Sequence, residues 1–519
     1  MTGAFNRARS ISSQVAFDKA VSPRYTCPAS DDLRVSFFLG GEELKVKVAL
    51  TTPPFREAGV VGTTRSMKAV INLVAPLGLA YLAAVLERER VQVRIIDGSR
   101  GLSLPEMLSE LEAYAPDIVG ISCTTPTFKD AIQLAEAVRQ VFPKAIIVLG
   151  GAHVTAIPRE AMLEGCFDVG VVGEGETTLL ELVKGIEDKG GLDKVDLERI
   201  EGLAFRRDGQ VILTAPRERI KDLDSLPHPA RHLLPPLSAY RPTPASYRKL
   251  PLAVVMTSRG CPYGCTFCDR GVFGNYVRAH SPERVLDELE ELIDRYGAHE
   301  IRFFDDTFTI NRKRVVQICE MILERKLRFP WTCLTRVNTV DKDLLSLMKE
   351  AGCWQVLFGL ESGDPRMLKI LNKGSSVEQN AQAVEWAQEV GLGVRGDFII
   401  GTPGETMESL ENTLSFTKRI KLDYAHFNKF VPYPGTELYE RLVAQGYQFD
   451  SKNLPPIVDH AAVLYVPDGL SREQVKKFLD RAHRDFYLRP SHIVRRLMRT
   501  GSWHELIGQV RGAVAILGL

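Results

Sequence analysis

The segment PLAVVMTSRGCPYGCTFCDR, residues 251–270, is an apolar run that breaks into a loop set with glycine, proline and cysteine. Leu252–Thr257 reads as a strand buried on both faces, the pattern of parallel sheets. The same signal recurs downstream at Glu300–Phe304, Trp331–Leu334, Gln355–Gly359, Val394–Ile400 and Tyr424–Phe430. Between these strands the apolar spacing becomes helical near 283–296, 312–326, 341–351, 377–390 and 406–420, and again near 437–445. Six β/α units are too few for an eight-fold barrel and predict a three-quarter barrel.

Upstream, a second alternation runs from Lys45 to about residue 188. Its strands are Lys45–Thr51, Val91–Asp97, Asp117–Ser122, Ala145–Leu149 and Asp168–Val172, with helices such as Leu77–Arg88 and Leu104–Tyr114 between them. This predicts a parallel, doubly wound sheet. The strand ends Thr51–Pro54, Ser122–Thr125, Gly150–His153 and Gly173–Thr177 then line one rim, where ligands of open α/β sheets bind. Residues 189–250 read as a linker holding a hairpin, with Asp208-Gly209 as its turn, followed by a proline-rich run. The expected domains are an extension over 1–44, a Rossmann-like domain over 45–188, the linker, a partial (β/α)6 barrel over 251–448 and a helical region over 449–519. The fold class is α/β.

The 519 residues suit three or four domains at roughly 100–200 residues each. With 66 Lys+Arg against 65 Asp+Glu, the net charge is +1, which argues against a protein that coats nucleic acid. No apolar stretch is long enough for a membrane-spanning helix, and the N-terminus lacks the apolar core of a secretory signal. Nine cysteines at ordinary density do not suggest a disulfide framework. The chain reads as a cytosolic, monomeric enzyme.

Three of those cysteines form Cys261-x3-Cys265-x2-Cys268. Thiolates on such a loop wrap a soft-metal centre, yet three leave tetrahedral zinc or a cubane cluster one ligand short. A cluster with one unligated iron keeps a site open for substrate or cofactor.

With Phe267 as the aromatic before the last cysteine, this pattern resembles the cluster loop of the radical S-adenosylmethionine (SAM) superfamily. The resemblance continues at successive strand ends in FFDDTF (303–308), LTRVN (334–338), GLESG (359–363), GDFIIGTPGET (396–406) and NKFVPYPGT (428–436). It implies a [4Fe-4S] cluster on Cys261, Cys265 and Cys268, whose fourth iron is chelated by SAM, and reductive cleavage of SAM to a 5′-deoxyadenosyl radical. Candidate SAM contacts are Phe267, Gly401 and Gly404 for close backbone approach, and Glu361 and Ser362 for ribose hydroxyls. Arg336 or Arg395 would pair with the SAM carboxylate. Asp305 and Asp306 either orient the SAM ammonium or cap the following helix.

The first domain resembles the cobalamin-binding domain of a large radical SAM subgroup in PLGLAYLAAVLE (76–87), GISCTTPT (120–127), VLGGAHVT (148–155) and VVGEGETTLLEL (171–182). Ser122, Thr124, Gly150, Gly151, His153, Gly173 and Glu174 are the corresponding candidate cobalamin contacts. Where many cobalamin proteins carry a cobalt-binding histidine after strand one, this chain reads TTPPFREAG (51–59). Base-off cobalamin without a protein histidine on cobalt is therefore expected, with Arg56 or Arg65 near its lower face.

The resemblance implies a methylase that acts on an unactivated carbon of an organic substrate through methylcobalamin, with a flavodoxin or ferredoxin as electron donor. The alternatives are a non-methylating oxidative cyclase, a cobalamin or cluster-based sensor, and a methylthiotransferase, suggested by Cys27, Cys123 and Cys166. Cys319, Cys333 and Cys353 read as core residues. The basic C-terminal helices either dock on the barrel or contact a membrane surface.

Overall fold

The computed structural model describes residues 46–54, 73–240, 242, 246–454 and 462–499. Its first half contains β1 (Lys47–Thr52), α1 (Leu77–Arg88), β2 (Gln92–Asp97), α2 (Leu104–Tyr114), β3 (Ile118–Ser122) and α3 (Phe128–Val141). β4 (Ile146–Gly150), α4 (Ala152–Ala156), α5 (Pro158–Met162), β5 (Val169–Val171) and α6 (Gly175–Lys189) follow, then the hairpin of β6 (Leu203–Arg207) and β7 (Gln210–Leu213). These strands form one seven-stranded sheet in the order β2-β1-β3-β4-β5-β6-β7.

Alternate residues of β1 enter two different cores, as strand geometry requires. Val48 and Leu50 pack with α1 and α6, whereas Ala49 packs with α2, α3 and α5. The sheet is thus covered by helices on both faces. Its order reverses between β1 and β3, the switch point at which such sheets bind ligands. The hairpin assigned to the linker is part of this sheet, paired antiparallel to β5, so the sheet ends at Leu213 rather than near residue 188. The short β5 would otherwise present an open edge.

The second half contains β8 (Leu252–Val255), β9 (Ser258–Arg259), β10 (Arg278–Ala279), α7 (Pro282–Asp294), β11 (Glu300–Phe303) and α8 (Arg312–Glu324). Next come β12 (Trp331–Thr335), α9 (Lys342–Glu350), β13 (Cys353–Glu361), α10 (Pro365–Ile370), α11 (Val377–Glu389), β14 (Gly393–Ile400), α12 (Met407–Arg419), β15 (Tyr424–Lys429) and α13 (Glu437–Ala444). Six of these strands form an all-parallel sheet in chain order, β8-β11-β12-β13-β14-β15. One large core lies between this sheet and its helices, and it takes in Cys319, Cys333 and Cys353. Two further helices, α14 (Arg472–Tyr487) and α15 (Pro490–Arg499), follow. Val475, Phe478, Leu479, Ala482 and Phe486 of α14 complete the same core, while Ile493 and Val494 of α15 are exposed. No helix among the described residues is long and apolar enough to cross a membrane. Arg56, Arg65, Cys27 and the chain after Arg499 lie outside the described residues.

Candidate functional site

The cysteine loop leaves β8 through Ser258–Arg259, which pair antiparallel with Arg278–Ala279 on its return. Gly260 opens the loop at φ +89°, and a Cβ there would lie 2.2 Å from the Tyr276 carbonyl, so only glycine fits. The end of α10 and the start of α13 then hold the loop down. Thr266 N donates to Leu371 O at 3.1 Å, Leu438 N to Thr266 O at 2.9 Å, and Asn372 Nδ2 to Gly264 O at 2.7 Å.

Arg336, at the end of β12, donates from Nη1 to Cys265 Sγ at 3.2 Å and stacks 3.7 Å above the Tyr263 ring. Thr307 Oγ1 lies 3.8 Å from Cys261 Sγ. Desolvation at the loop, together with the charges of Cys265, Asp306, Cys261 and Asp269, raises the Cys268 thiol to about 12. The three sulfurs therefore share one electrostatic environment, in which a thiolate needs a nearby cation. No three His, Cys, Asp or Glu side chains among the described residues converge as single-ion ligands do. A cubane instead spreads three thiolates over three irons, and this donor set fits one.

Several expected SAM contacts have other partners. Glu361 is in a buried ion pair with Lys373, 2.7 Å away, and Lys373 in turn lies 5.9 Å from the Phe267 ring centre. Ser362 Oγ is bonded to Thr413 Oγ1 at 2.9 Å and accepts from Asp364 N, tying β13 to α12 rather than meeting a ribose. Asp305 accepts from Thr257 N, Thr257 Oγ1 and Ser258 Oγ at 2.6, 2.5 and 2.7 Å. Asp306 accepts from Gly260 N at 3.1 Å. Both aspartates hold the cysteine loop, and Asn311 caps α8 in their place. Gly401 (φ +87°) and Gly404 (φ +84°) form the tight turn after β14, where Glu405 accepts from Gly401 N and from Thr402 N at 3.1 Å. Burial raises the Glu405 carboxyl to about 8. Arg395 lies within β14, six residues before Gly401, and pairs with Asp397 at 2.9 Å.

On the first sheet, a Cβ at Gly150 would meet nothing within 4 Å, and the same holds at Gly173 (φ +84°). The exposed Thr124 beside Ser122 adds polar groups to the same rim. These open, polar strand ends run from the switch point at β3 outward along β4 and β5, and they suit the tail of a large cofactor. Gly151 is required by the backbone instead: its φ is +98°, and a Cβ would sit 2.4 Å from Cys123 O. His153 does not lie along the rim. It is fully buried, stacked 3.8 Å from Phe128, with Nδ1 3.2 Å from Thr125 Oγ1, and burial lowers its pKa to about 4.

Glu174 is also not a rim group. Its carboxylate accepts from Arg259 at 2.7 Å, Arg278 at 2.6 Å and Ile220 N at 3.1 Å, while neighbouring Glu176 takes the second arm of Arg259 at 2.7 Å. All four side chains are buried, and Tyr81 of α1 stacks on the Arg259 guanidinium at 5.1 Å. The start of α6 in the first sheet is thereby bolted to the residues that flank the cysteine loop. Sequence reasoning missed Arg259, Arg278, Glu176, Lys373 and Thr307. The one local signal was an arginine two residues before Cys261.

Residues 255–417 match the radical SAM superfamily, and residues 68–183 match the B12 binding domain. The uncharacterized methyltransferase PH0819 of Pyrococcus horikoshii is 40% identical over 455 residues, covering 87% of this chain and 94% of its own. The anaerobic magnesium-protoporphyrin IX monomethyl ester cyclase of Cereibacter sphaeroides is 30% identical, covering 80% and 67%. Among solved structures, the radical SAM methyltransferase TsrM from Kitasatospora setae, with cobalamin and a [4Fe-4S] cluster bound, superposes with a TM-score of 0.69 at 18% identity, covering 91% of this chain and 99% of its own. The cobalamin-dependent radical SAM enzyme OxsB, with aqua-cobalamin and SAM bound, does so with a TM-score of 0.68 at 18% identity, covering 91% and 72%.

Proposed function

We infer that this protein, which belongs to the radical SAM superfamily and carries a B12-binding domain, methylates an unactivated carbon of an organic substrate. It is a cobalamin-dependent radical SAM enzyme whose cofactors are a [4Fe-4S] cluster, SAM and cobalamin. When bound, these groups supply a substrate radical and a transferable methyl group.

The observation that carries the reading is the buried link from Glu174 and Glu176 to Arg259 and Arg278. It brings the rim of the first sheet to the base of the cysteine loop, so a carbon held between them has both cofactors within reach. In this reading Cys261, Cys265 and Cys268 hold the cluster. Arg336 offsets charge on the Cys265 sulfur, and the turn at Gly401–Gly404 gives a flat ligand close backbone approach. Gly150 and Gly173 leave room for the cobalamin tail. Base-off cobalamin would have no histidine of this domain on cobalt, because the sole histidine of residues 45–188, His153, is stacked in the core.

The sequential order of the parallel strands supports a three-quarter barrel over 251–448. The reductant would be a flavodoxin or ferredoxin. The relationship to the cyclase favours a second reading, oxidative ring closure on the same two domains.

Incubation with candidate substrates, reductant and SAM separates the two. Methylation gives 5′-deoxyadenosine and S-adenosylhomocysteine in about equal amounts, whereas cyclisation gives only the first. Cys261→Ala should stop both product and deoxyadenosine formation. Turnover of true substrate without S-adenosylhomocysteine would overturn methylation.

A further inference from the structure

Strands β11 to β14 send alternate residues into the core beneath the helices. Ile301, Phe303, Trp331, Cys333, Val356, Phe358, Val394 and Phe398 lie there. Arg302, Thr332, Gln355, Arg395 and Asp397 therefore share the opposite face. Arg302, Thr332 and Gln355 stand side by side in register on three adjacent strands.

This face concentrates polar atoms without partners. Arg302 Nε, Thr332 Oγ1, both amide atoms of Gln355 and Arg395 Nε are all buried and unbonded among the described residues. Buried polar groups are ordinarily paired, so such a run on four neighbouring strands is unusual. Arg302 stands out: it is 4% exposed, its Nε has no hydrogen-bond partner among the described residues, and its guanidinium rests 4.9 Å from the Phe304 ring, which offers no acceptor oxygen. Its neighbour Glu300 is turned away, accepting from Arg248 N and Lys249 N at 2.7 Å and from Trp354 Nε1 at 2.9 Å. Among the described residues, Asp397 is the one carboxylate paired directly on this face: it bonds Arg395, acts on Arg302 only at longer range, and has His426 Nδ1 3.4 Å from its other oxygen. The His426 and Asp397 side chains keep 35% and 23% of their surface free, so small groups can reach this face.

A buried guanidinium without an acceptor is costly, and the chemistry that answers it is an anion with paired oxygens. We propose that Arg302 and Arg395, with Gln355 and Thr332 beside them, bind an acidic group of the substrate, a carboxylate or a phosphoryl group. This rests on reading the protein as an enzyme of an organic substrate, and it assigns Arg395 to that substrate rather than to SAM.

The test uses the full-length protein with its cofactors and measures equilibrium binding of succinate and of inorganic phosphate, with potassium chloride matched for ionic strength. Wild type should bind at least one anion saturably, and which one binds separates carboxylate from phosphoryl. Arg302→Met should weaken that binding roughly tenfold or more. Its anion-free thermal midpoint should equal or exceed that of wild type, because an unpaired buried charge has been removed. Three results would overturn the proposal: no anion binding above the chloride control, binding unchanged in Arg302→Met, or a variant that fails to fold or melts lower. Any of the three would make Arg302 a structural or water-bonded residue. No turnover is involved, so failure here leaves the deoxyadenosine and homocysteine measurement intact.

Discussion

Replacing Glu174 by Gln tests whether the two sheets are held together at the cysteine loop. The wild-type cluster is charge-balanced, with Glu174 and Glu176 facing Arg259 and Arg278. Glutamine keeps one acceptor oxygen but turns its NH2 toward one of the two guanidinium groups, leaving one buried positive charge uncompensated. Breaking a buried pair in this way costs about 3–5 kcal/mol. At 1.36 kcal/mol per factor of ten, local opening should become roughly 10²–10⁴ times more frequent. Hydrogen exchange of peptides spanning Arg259–Ala279 reads this directly. A global melting curve does not, since a chain of this size need not unfold in two states. Peptides from β2 and α2, on the far edge of the first sheet, should be unchanged. Glu176→Gln should act in the same direction but less, because Glu174 still bridges both arginines. Exchange in the loop that stays within a factor of three of wild type for Glu174→Gln would refute the reasoning. So would acceleration that is equal across the first sheet, since the damage would then be general rather than local.

Gly150 and Gly151 should separate cofactor contact from backbone need. Gly150→Val should leave the thermal midpoint unchanged while cobalamin is lost on gel filtration, whereas Gly151→Ala should lower the midpoint even without cobalamin, because of its φ and the 2.4 Å approach to Cys123 O; retention of cobalamin by Gly150→Val would show that this rim is not the site. Glu405 should give stability a pH dependence of known sign. Burial raises its carboxyl from 4.5 to about 8, so the fold prefers the protonated acid, is fully stabilised below about pH 4.5 and weakens as pH rises through 8. Glu405→Gln keeps a carbonyl for the Gly401 and Thr402 amides and should exceed wild type by roughly 3–5 kcal/mol above pH 8, with the difference vanishing near pH 4.5; a pH-independent difference in denaturation midpoint would contradict this.

The strands and helices were legible because buried parallel strands are near-continuous apolar runs that contrast with amphipathic helices. Ile118–Ser122 and Gly393–Ile400 fall within a residue or two of where the apolar pattern places them, and α1 and α2 begin and end as read. The hairpin was recognised from its Asp-Gly turn, but its membership of the first sheet was not. That depends on β5 offering a free edge, a fact about chain packing that no local pattern carries. The cysteine loop was legible because its spacing is improbable without a cluster. The meaning of the surrounding acids was not.

Glu174, Glu361 and Asp305 show why. Each lies at the C-terminal end of a strand, where a carboxylate reads as a ligand group. Each is also buried, and a buried carboxylate is stable only when paired. The partners lie far along the chain or on another element: Arg259 is 85 residues from Glu174, and Thr257 is 48 residues from Asp305. Spacing alone therefore cannot tell a carboxylate that meets a cofactor from one that braces the loop around it. The distinction comes from partner accounting, because an acid already held by arginine, lysine, hydroxyls or backbone amides has fewer lone pairs, and less freedom to turn, for a ligand. The same accounting works in reverse on the face of the second sheet turned away from its helices, where Arg302 and Gln355 gave no motif and yet retain unspent donors. Bracing carboxylates around the cysteine loop and unpaired polar groups on the second sheet are two outcomes of one rule, that burial must be matched by a partner.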